Sequence, residues 1–274
     1  MKSKRILVFG NGFMGSRLSV ALKAQVSGRK ILSYDDAEDE IARQKPDIVI
    51  NAIGHTGGRN VDGCEDDKNG TLVSNAFVPL ILAEAALRRK IKLIHISSGC
   101  IYHFDYKRDR PIVEDKTPDF FDLFYSRTKI YAERALDILA DKYGVLIARI
   151  RIPLDDRPSP RNILTKLIGY KKVITLANSV TYIPDFIEAL KHLIKIDARG
   201  IYNIVSGGGL KYMDLLDVYK KYSPDFNYDV IDYKKLGLVR TNLIMSTKKI
   251  ERAGFRMRPV SEVLEECVKS YIKY

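Results

Sequence analysis

Residues 6–15 constrain the fold more than any other stretch. Ile6-Leu7-Val8-Phe9 is a short, wholly apolar run, and Gly10-Asn11-Gly12-Phe13-Met14-Gly15 follows it at once. Beyond it, Met14, Leu18, Ala21 and Leu22 share one helical face. A buried strand that passes through a GxGxxG turn into a helix is a phosphate-binding unit. The glycines allow the tight turn, let a pyrophosphate approach the backbone and let helix pack on strand. The helix start adds free N–H groups and a positive dipole end. Gly10, Asn11, Gly12, Phe13, Met14 and Gly15 are therefore the expected cofactor-binding residues, with Arg17 just inside the helix.

The same rhythm continues. Ile48–Ile50, Leu93–Ile96 and Val145–Ile150 are apolar without alternation, as parallel strands buried on both faces are. Between them Leu72, Val73, Ala76, Phe77, Leu80 and Ile81 line one helix face. Strand and helix alternate to about residue 150. The predicted fold class is α/β, a Rossmann-type doubly wound parallel sheet over residues 1–152. A smaller C-terminal substrate-binding part follows over 153–274, with a strand at Ile201–Val205 and elements that return to the sheet. In that part Pro158, Pro160 and Pro184 are expected to break the chain into short helices. The stretch from His103 to Leu123 has little periodicity, and a loop of that length is usually functional or mobile.

A second strand is expected at Lys30–Tyr34, ending at Asp35, 20 residues beyond Gly15. A carboxylate there accepts the ribose hydroxyls of NAD and repels the 2′-phosphate of NADP. Arg17 can pair with that phosphate, so NADP and NAD both stay open. Asp35 also reads as a helix cap before Ala37.

The net charge of +12 is spread along the chain, and the longest basic run is Arg88-Arg89-Lys90. No nucleic-acid module accompanies it, so a polyphosphate ligand is expected rather than nucleic acid. No run of 18 apolar residues offers a membrane span, and the apolar start is too short for a signal peptide. Three cysteines without a CxxC, and four histidines without ligand spacing, give neither a disulfide framework nor a metal site. These features predict a cytoplasmic chain with no membrane partner; assembly as a homodimer is left open. Cys64 and Cys267 have no visible chemistry, His95 reads as a core residue, and His55 lies near the cofactor edge.

Tyr125-Ser126-Arg127-Thr128-Lys129 is a YxxxK. With 16 tyrosines in a lysine-rich chain, chance alone gives about one or two such pairs. Its place carries the weight: it opens a helix between two buried strands and follows a strand that ends in Ser97-Ser98. A spacing of four puts both side chains on one helix face. A neighbouring ammonium favours the phenolate and brings a phenol toward use near neutral pH. Tyr125 can then give a proton to a carbonyl oxygen held by Ser98 while hydride reaches the carbon.

The turn, Ser98 and the Tyr125–Lys129 pair resemble those of extended short-chain dehydrogenases/reductases. More narrowly, Thr56–Glu65, Ser98-Gly99-Cys100-Ile101-Tyr102, Phe124–Lys129, Pro160–Lys166 and Asn178–Thr181 resemble nucleotide-rhamnose synthase/epimerase-reductases. Those enzymes convert UDP-4-keto-6-deoxyglucose to UDP-rhamnose and are related to dTDP-4-dehydrorhamnose reductase. The similarity covers nearly the whole chain. It departs at the glycine turn, which has one residue fewer between its first two glycines than the family usually has. The resemblance implies an NADP- or NAD-dependent 4-reductase acting on a UDP- or dTDP-linked sugar. Ser98, Tyr125 and Lys129 run the reduction, and Cys100 and Lys166 run a preceding 3,5-epimerisation. A C4 ketone acidifies the protons on C3 and C5, and inversion needs a base and an acid on opposite faces; a thiol and a lysine suit those roles. The resemblance also makes Asn75 a structural and proton-relay residue. It groups Asn75 with Arg161, Asn162 and Arg240 around the substrate. The alternatives are a 4-reductase without epimerase activity and a non-enzymatic dinucleotide-sensing regulator; regulators on this fold tend to lose the Tyr or the Lys.

Overall fold

The computed structural model describes residues 4–58, 60–140, 142–170, 172–237 and 239–274. Arg59, inside one of the family-like segments, lies outside the described residues. In chain order the first elements are β1 (Ile6–Phe9), α1 (Phe13–Leu22), β2 (Gln25–Ser27), α2 (Tyr34–Gln44), β3 (Ile48–Asn51), α3 (Gly63–Asp66), α4 (Lys68–Leu72), a π-helical turn (Val73–Phe77), α5 (Val78–Arg88), β4 (Lys92–Ser98), α6 (Phe124–Ala140) and β5 (Val145–Ile150). They continue as β6 (Pro153–Leu154), α7 (Ile163–Tyr170), β7 (Lys172–Ile174), β8 (Thr181–Tyr182), α8 (Ile183–Lys195), β9 (Gly200–Asn203), α9 (Tyr212–Lys220), β10 (Asp229–Ile231), α10 (Lys248–Arg252) and α11 (Val260–Tyr271).

Two compact units divide the chain. The first takes residues 1–101, 120–149 and 193–202; the second takes 102–119, 150–192 and 203–274. The first is built on a parallel six-stranded sheet in the order β2-β1-β3-β4-β5-β9. Leu7, Phe9, Val49, Leu93, Val145 and Ile147 meet Ala37 and Ile41 of α2, Val78, Leu82 and Ala86 of α5, and Leu136 and Ala140 of α6. Val8, Ile48, Ile50, Ile94 and Leu146 point the other way and are equally buried. Burial on both faces is why these strands lack polar alternation. The order reverses at β1, whose Phe9 pairs with Ser27 on one side and Asn51 on the other. In an open α/β sheet, ligands bind outside the carboxyl ends of the strands at such a switch point. The helical stretch Lys68–Arg88 is 21 residues long with a mean hydropathy of 1.5, and half of its apolar window is buried in the protein.

Two sequence expectations need correction. The second strand is Gln25–Ser27, not Lys30–Tyr34. As a sheet edge it is largely exposed and carries no apolar signature, whereas Ile31 serves the core below α2. Pro184 does not break a helix. It stands in the first turn of α8, where its missing N–H would lack a partner anyway. The 103–123 stretch is largely irregular, as its lack of periodicity predicts, and its middle is tied down. Ile112 pairs with Met245 in a parallel bridge within the second unit, and buried Asn203 donates to the Ile112 carbonyl while its own N–H donates to Glu114.

The second unit has its own core, in which Leu154, Leu164, Leu167, Tyr182, Leu215, Leu216, Val263, Leu264 and Val268 meet. β7 and β10 form a small parallel pair there, as do β6 and β8.

Candidate active site

The glycine turn has the geometry that close approach of a phosphate requires. Gly10 has φ of +101°, and a Cβ on it would stand 2.9 Å from the Ile53 nitrogen. On Gly15 a Cβ would stand 1.8 Å from the Gly10 carbonyl oxygen, so only glycine lets α1 lie this close to β1. Gly12 differs. It is the N-cap of α1 at φ −73°, no side chain caps the helix there, and a Cβ would meet nothing within 4 Å. An uncapped ten-residue helix beside an open, glycine-lined turn has first-turn N–H donors of the kind that bind anions. These residues fit a dinucleotide pyrophosphate despite the shortened glycine spacing. Ser16 Oγ donates to the Asn11 carbonyl at 2.8 Å and holds the turn from the far side. Gly10 N–H donates to the Ser27 carbonyl at 3.4 Å, which ties the turn to the end of β2.

Asp35 is not at a strand end. It lies in the first turn of α2, where an acidic residue complements the helix dipole. The cap itself is Ser33, in a reciprocal capping box with Asp36. The residues that follow β2 are Gly28, Arg29 and Lys30.

Ser98 closes β4, and Cys100 follows in the turn. The Cys100 N–H donates to Ser98 Oγ at 3.1 Å, and Ser126 Oγ donates to the Cys100 carbonyl at 2.6 Å. The Cys100 backbone is thus pinned between Ser98 and the residue after Tyr125. Because Ser98 Oγ accepts from that N–H, its own proton remains to be donated elsewhere. Tyr125 and Lys129 lie one turn apart on the buried face of α6. Burial lowers the Lys129 pKa to about 8, against opposing pulls from Glu133, Cys100 and Cys64. The ammonium is therefore held near its own titration point.

Asn75 is fully buried in the π-helical turn. Its Oδ1 accepts from the His55 N–H at 2.8 Å and its Nδ2 donates to the His55 carbonyl at 2.9 Å. A Cβ on Gly54 would stand 3.4 Å from Asn75 Oδ1 and 3.6 Å from Lys129 Nζ, so both side chains crowd one piece of backbone. Asn75 thereby fixes the strand-to-loop exit of β3 beside the lysine.

Sequence reading missed what lies behind Lys129. Glu133 is buried one turn further along α6; Ser97 Oγ donates to its Oε2 at 2.6 Å, and Arg149 donates to its Oε1 through Nη2 at 2.6 Å and Nε at 3.0 Å. A polar residue repeated at a third position on one helix face, Tyr125, Lys129, Glu133, was the available signal. Buried His95 takes the Asn51 amide on Nδ1 at 3.2 Å. Asn51 Oδ1 already accepts from Ile53 N–H, so the amide donates to His95 and the ring proton sits on Nε2. Burial and the Lys129 charge hold the His95 pKa well below its usual value.

Arg161, Asn162, Lys166 and Arg240 belong to the second unit. Asn162 is fully buried; its amide donates to the Asp155 and Arg157 carbonyls and accepts from the Asp155 and Leu164 N–H groups. All of that capacity goes into shaping the 155–164 loop. Arg161 precedes it on the same loop and Lys166 is half-buried on α7, while Arg240 is half-buried and donates to the Val239 carbonyl.

Residues 4–172 match the model of the RmlD substrate binding domain. The chain belongs to the RmlD substrate binding domain family. It is 32% identical over 241 residues to the bifunctional dTDP-4-dehydrorhamnose 3,5-epimerase/dTDP-4-dehydrorhamnose reductase of Arabidopsis thaliana, covering 82% of this chain and 78% of that protein. It is 29% identical to the trifunctional UDP-glucose 4,6-dehydratase/UDP-4-keto-6-deoxy-D-glucose 3,5-epimerase/UDP-4-keto-L-rhamnose-reductase of the same plant, and spans only 35% of that protein's length. Among solved structures, the L780 UDP-rhamnose synthase of Acanthamoeba polyphaga mimivirus superposes with a TM-score of 0.86 at 26% identity, over 97% of this chain and 99% of that one. This RmlD-family chain is an NAD(P)-dependent oxidoreductase.

Proposed function

We propose that the chain reduces the C4 ketone of a nucleotide-linked 4-keto-6-deoxyhexose, after inverting C3 and C5, to give a nucleotide-L-rhamnose. The observation that supports this reading is the pinning of the Cys100 backbone between Ser98 and the first turn of α6, the helix that carries Tyr125 and Lys129. The bifunctional plant relative and the mimivirus UDP-rhamnose synthase support the same combination.

Gly10, Gly12 and Gly15 would hold NAD(P)H, which when bound would supply the hydride. Ser98 donates its free hydroxyl proton as a hydrogen bond to the C4 oxygen. Tyr125 delivers a proton to that oxygen, and the Lys129 ammonium makes the resulting phenolate less costly. For the epimerisation, the C4 ketone acidifies the neighbouring carbons, the Cys100 thiolate takes a proton from one face and an acid returns it on the other. The resemblance gives that second role to Lys166. Lys166, Arg161 and Arg240 sit in the second unit and are assigned to the substrate on the resemblance.

The test is incubation with UDP- and dTDP-4-keto-6-deoxyglucose and each reduced cofactor, with the product sugar identified by NMR. In D2O without cofactor, deuterium enters C3 and C5; Cys100→Ala abolishes that exchange, and Tyr125→Phe abolishes reduction while exchange continues. Exchange at the full rate in Cys100→Ala removes Cys100 from the epimerisation. No oxidation of NADPH or NADH with either sugar refutes the whole reading.

A further inference from the structure

Three ionisable side chains follow one another along the buried face of α6: Tyr125, Lys129 and Glu133. Glu133 is 2% exposed and its partner Arg149, on β5, is 1% exposed. A buried ion pair of this kind is weak evidence for stability, because apolar side chains of similar volume are often as good. Its place in the fold is more informative. Each carboxylate oxygen has its own donor: Arg149 holds Oε1, and Ser97, the neighbour of Ser98 on β4, holds Oε2. The carboxylate is fixed from two strands, one helical turn from the lysine.

We propose that Glu133 is a positioning residue for ketone reduction: clamped by Ser97 and Arg149, its carboxylate is the buried counter-charge that keeps Lys129 cationic beneath Tyr125. The proposal rests on the reading of Tyr125 and Lys129 as the reducing pair.

The groups facing Lys129 bear this out. His95 on β4 is neutral, Asn75 and the Gly54 backbone are uncharged polar groups, Cys64 on α3 and Cys100 after β4 pull in the same direction as Glu133 but less, and Arg149 on β5 lies beyond Glu133 as its partner. Glu133, on the same helix as Lys129, is the carboxylate among them. Burial pulls the lysine toward its neutral form and Glu133 is the largest opposing influence. A lysine that loses its proton no longer favours the phenolate of Tyr125. Activity is therefore high below the Lys129 pKa and falls as pH rises through about 8. Without the Glu133 charge the fall comes at lower pH.

The experiment measures kcat and KM for ketone reduction against pH in the wild-type chain, Glu133→Gln, Glu133→Asp and the double variant Glu133→Leu/Arg149→Met. The double variant removes both buried charges together, so it keeps the test open if Glu133→Gln does not fold. The alkaline limb of kcat is expected to move down by about one pH unit or more in Glu133→Gln and in the double variant. At pH 8 kcat is expected to fall about tenfold with little change in KM, and Glu133→Asp restores much of the loss. A 13C titration of the lysine Cε resonances reads the Lys129 midpoint directly, with no cofactor or substrate present, and should shift in the same direction. Folded variants whose limb and lysine midpoint coincide with those of the wild type overturn the proposal. A wild-type chain that reduces no 4-keto sugar, while its lysine midpoint still moves on removal of Glu133, overturns the underlying reading and leaves the electrostatic link standing.

Discussion

Replacing Gly12 by alanine separates a glycine required by the fold from one required by a ligand. At φ −73° and ψ −168° the backbone of Gly12 is open to alanine, and the new methyl group meets no protein atom within 4 Å. Reduced freedom of the unfolded chain stabilises such a change by roughly 0.4–1 kcal/mol. Alanine is a poorer N-cap than glycine by a similar amount, about 0.5–1 kcal/mol. The two offset, so the melting temperature should stay within about 4 °C of wild type. If a pyrophosphate rests on this turn, the ligand-bound state is different, because the methyl would occupy the space through which it reaches the N–H groups of α1. A loss of at least tenfold in NADPH affinity, about 1.4 kcal/mol, is expected. The chain has no tryptophan, so titration calorimetry is a better assay than intrinsic fluorescence. Gly15→Ala is the contrasting variant. Its methyl would stand 1.8 Å from the Gly10 carbonyl oxygen, so the turn itself must move, and overpacking of that kind costs about 1–3 kcal/mol. Gly15→Ala should lose both stability and binding, Gly12→Ala binding alone. Wild-type NADPH affinity in a folded Gly12→Ala chain would refute the argument, because the pyrophosphate would then rest elsewhere.

Two further predictions concern charge. Lys129 has a folded pKa of about 8 against an ordinary 10.5, so between those values the unfolded chain binds more protons and stability rises with pH. The penalty is fully present below pH 8 and amounts to roughly 3 kcal/mol. Lys129→Met should therefore abolish reduction yet unfold at higher urea concentration than wild type at pH 7, with the gain shrinking toward pH 10; a less stable variant at pH 7 would count against the buried ammonium. The second concerns the cofactor's 2′-phosphate. β2 ends at Ser27 with no carboxylate, and Arg29 follows within two residues, paired with Asp36 and Asp39. NADPH should bind more tightly than NADH, and Arg29→Ala should reduce that preference about tenfold with the NADH affinity little changed; equal affinities in the wild type would show that Arg29 does not select.

Much of this site could be read from the sequence because its parts are local. The glycine turn lies within six residues, and a four-residue spacing on α6 brings Tyr125 and Lys129 together. The strands β1, β3, β4 and β5 announced themselves because both of their faces are buried. The edge strand β2 did not, and the apolar Ile31 and Leu32 drew the expected strand, with Asp35 at its end, several residues too far along. Asn75 matched by resemblance, but its work depends on a π-helical turn and on the His55 backbone 20 residues away, which no short window contains. The Glu133 network joins α6, β4 and β5, so its partners Ser97 and Arg149 are distant in sequence and only the fold brings them together.

Helix α6 departs from the usual amphipathic pattern at four positions. Lys129 and Glu133 are buried, while Tyr131 is 59% and Ile138 82% exposed. A helix selected only for packing would place those pairs the other way round, since burying an ionisable group is unfavourable and exposing an isoleucine gains nothing. A local rule broken without a gain in stability points to a functional position. The buried groups also follow a definite line, from the end of β4, where Ser98 sits, to Arg149 on β5, with Glu133 held at its far end by Ser97 and Arg149. A lysine suits this line better than an arginine, because only a lysine can be held near its titration point by the balance between burial and one carboxylate. On the proposed reading, that balance makes the reactivity of Tyr125 a property of the whole row, and gives the first unit a reason to keep three ionisable groups where apolar ones would pack as well.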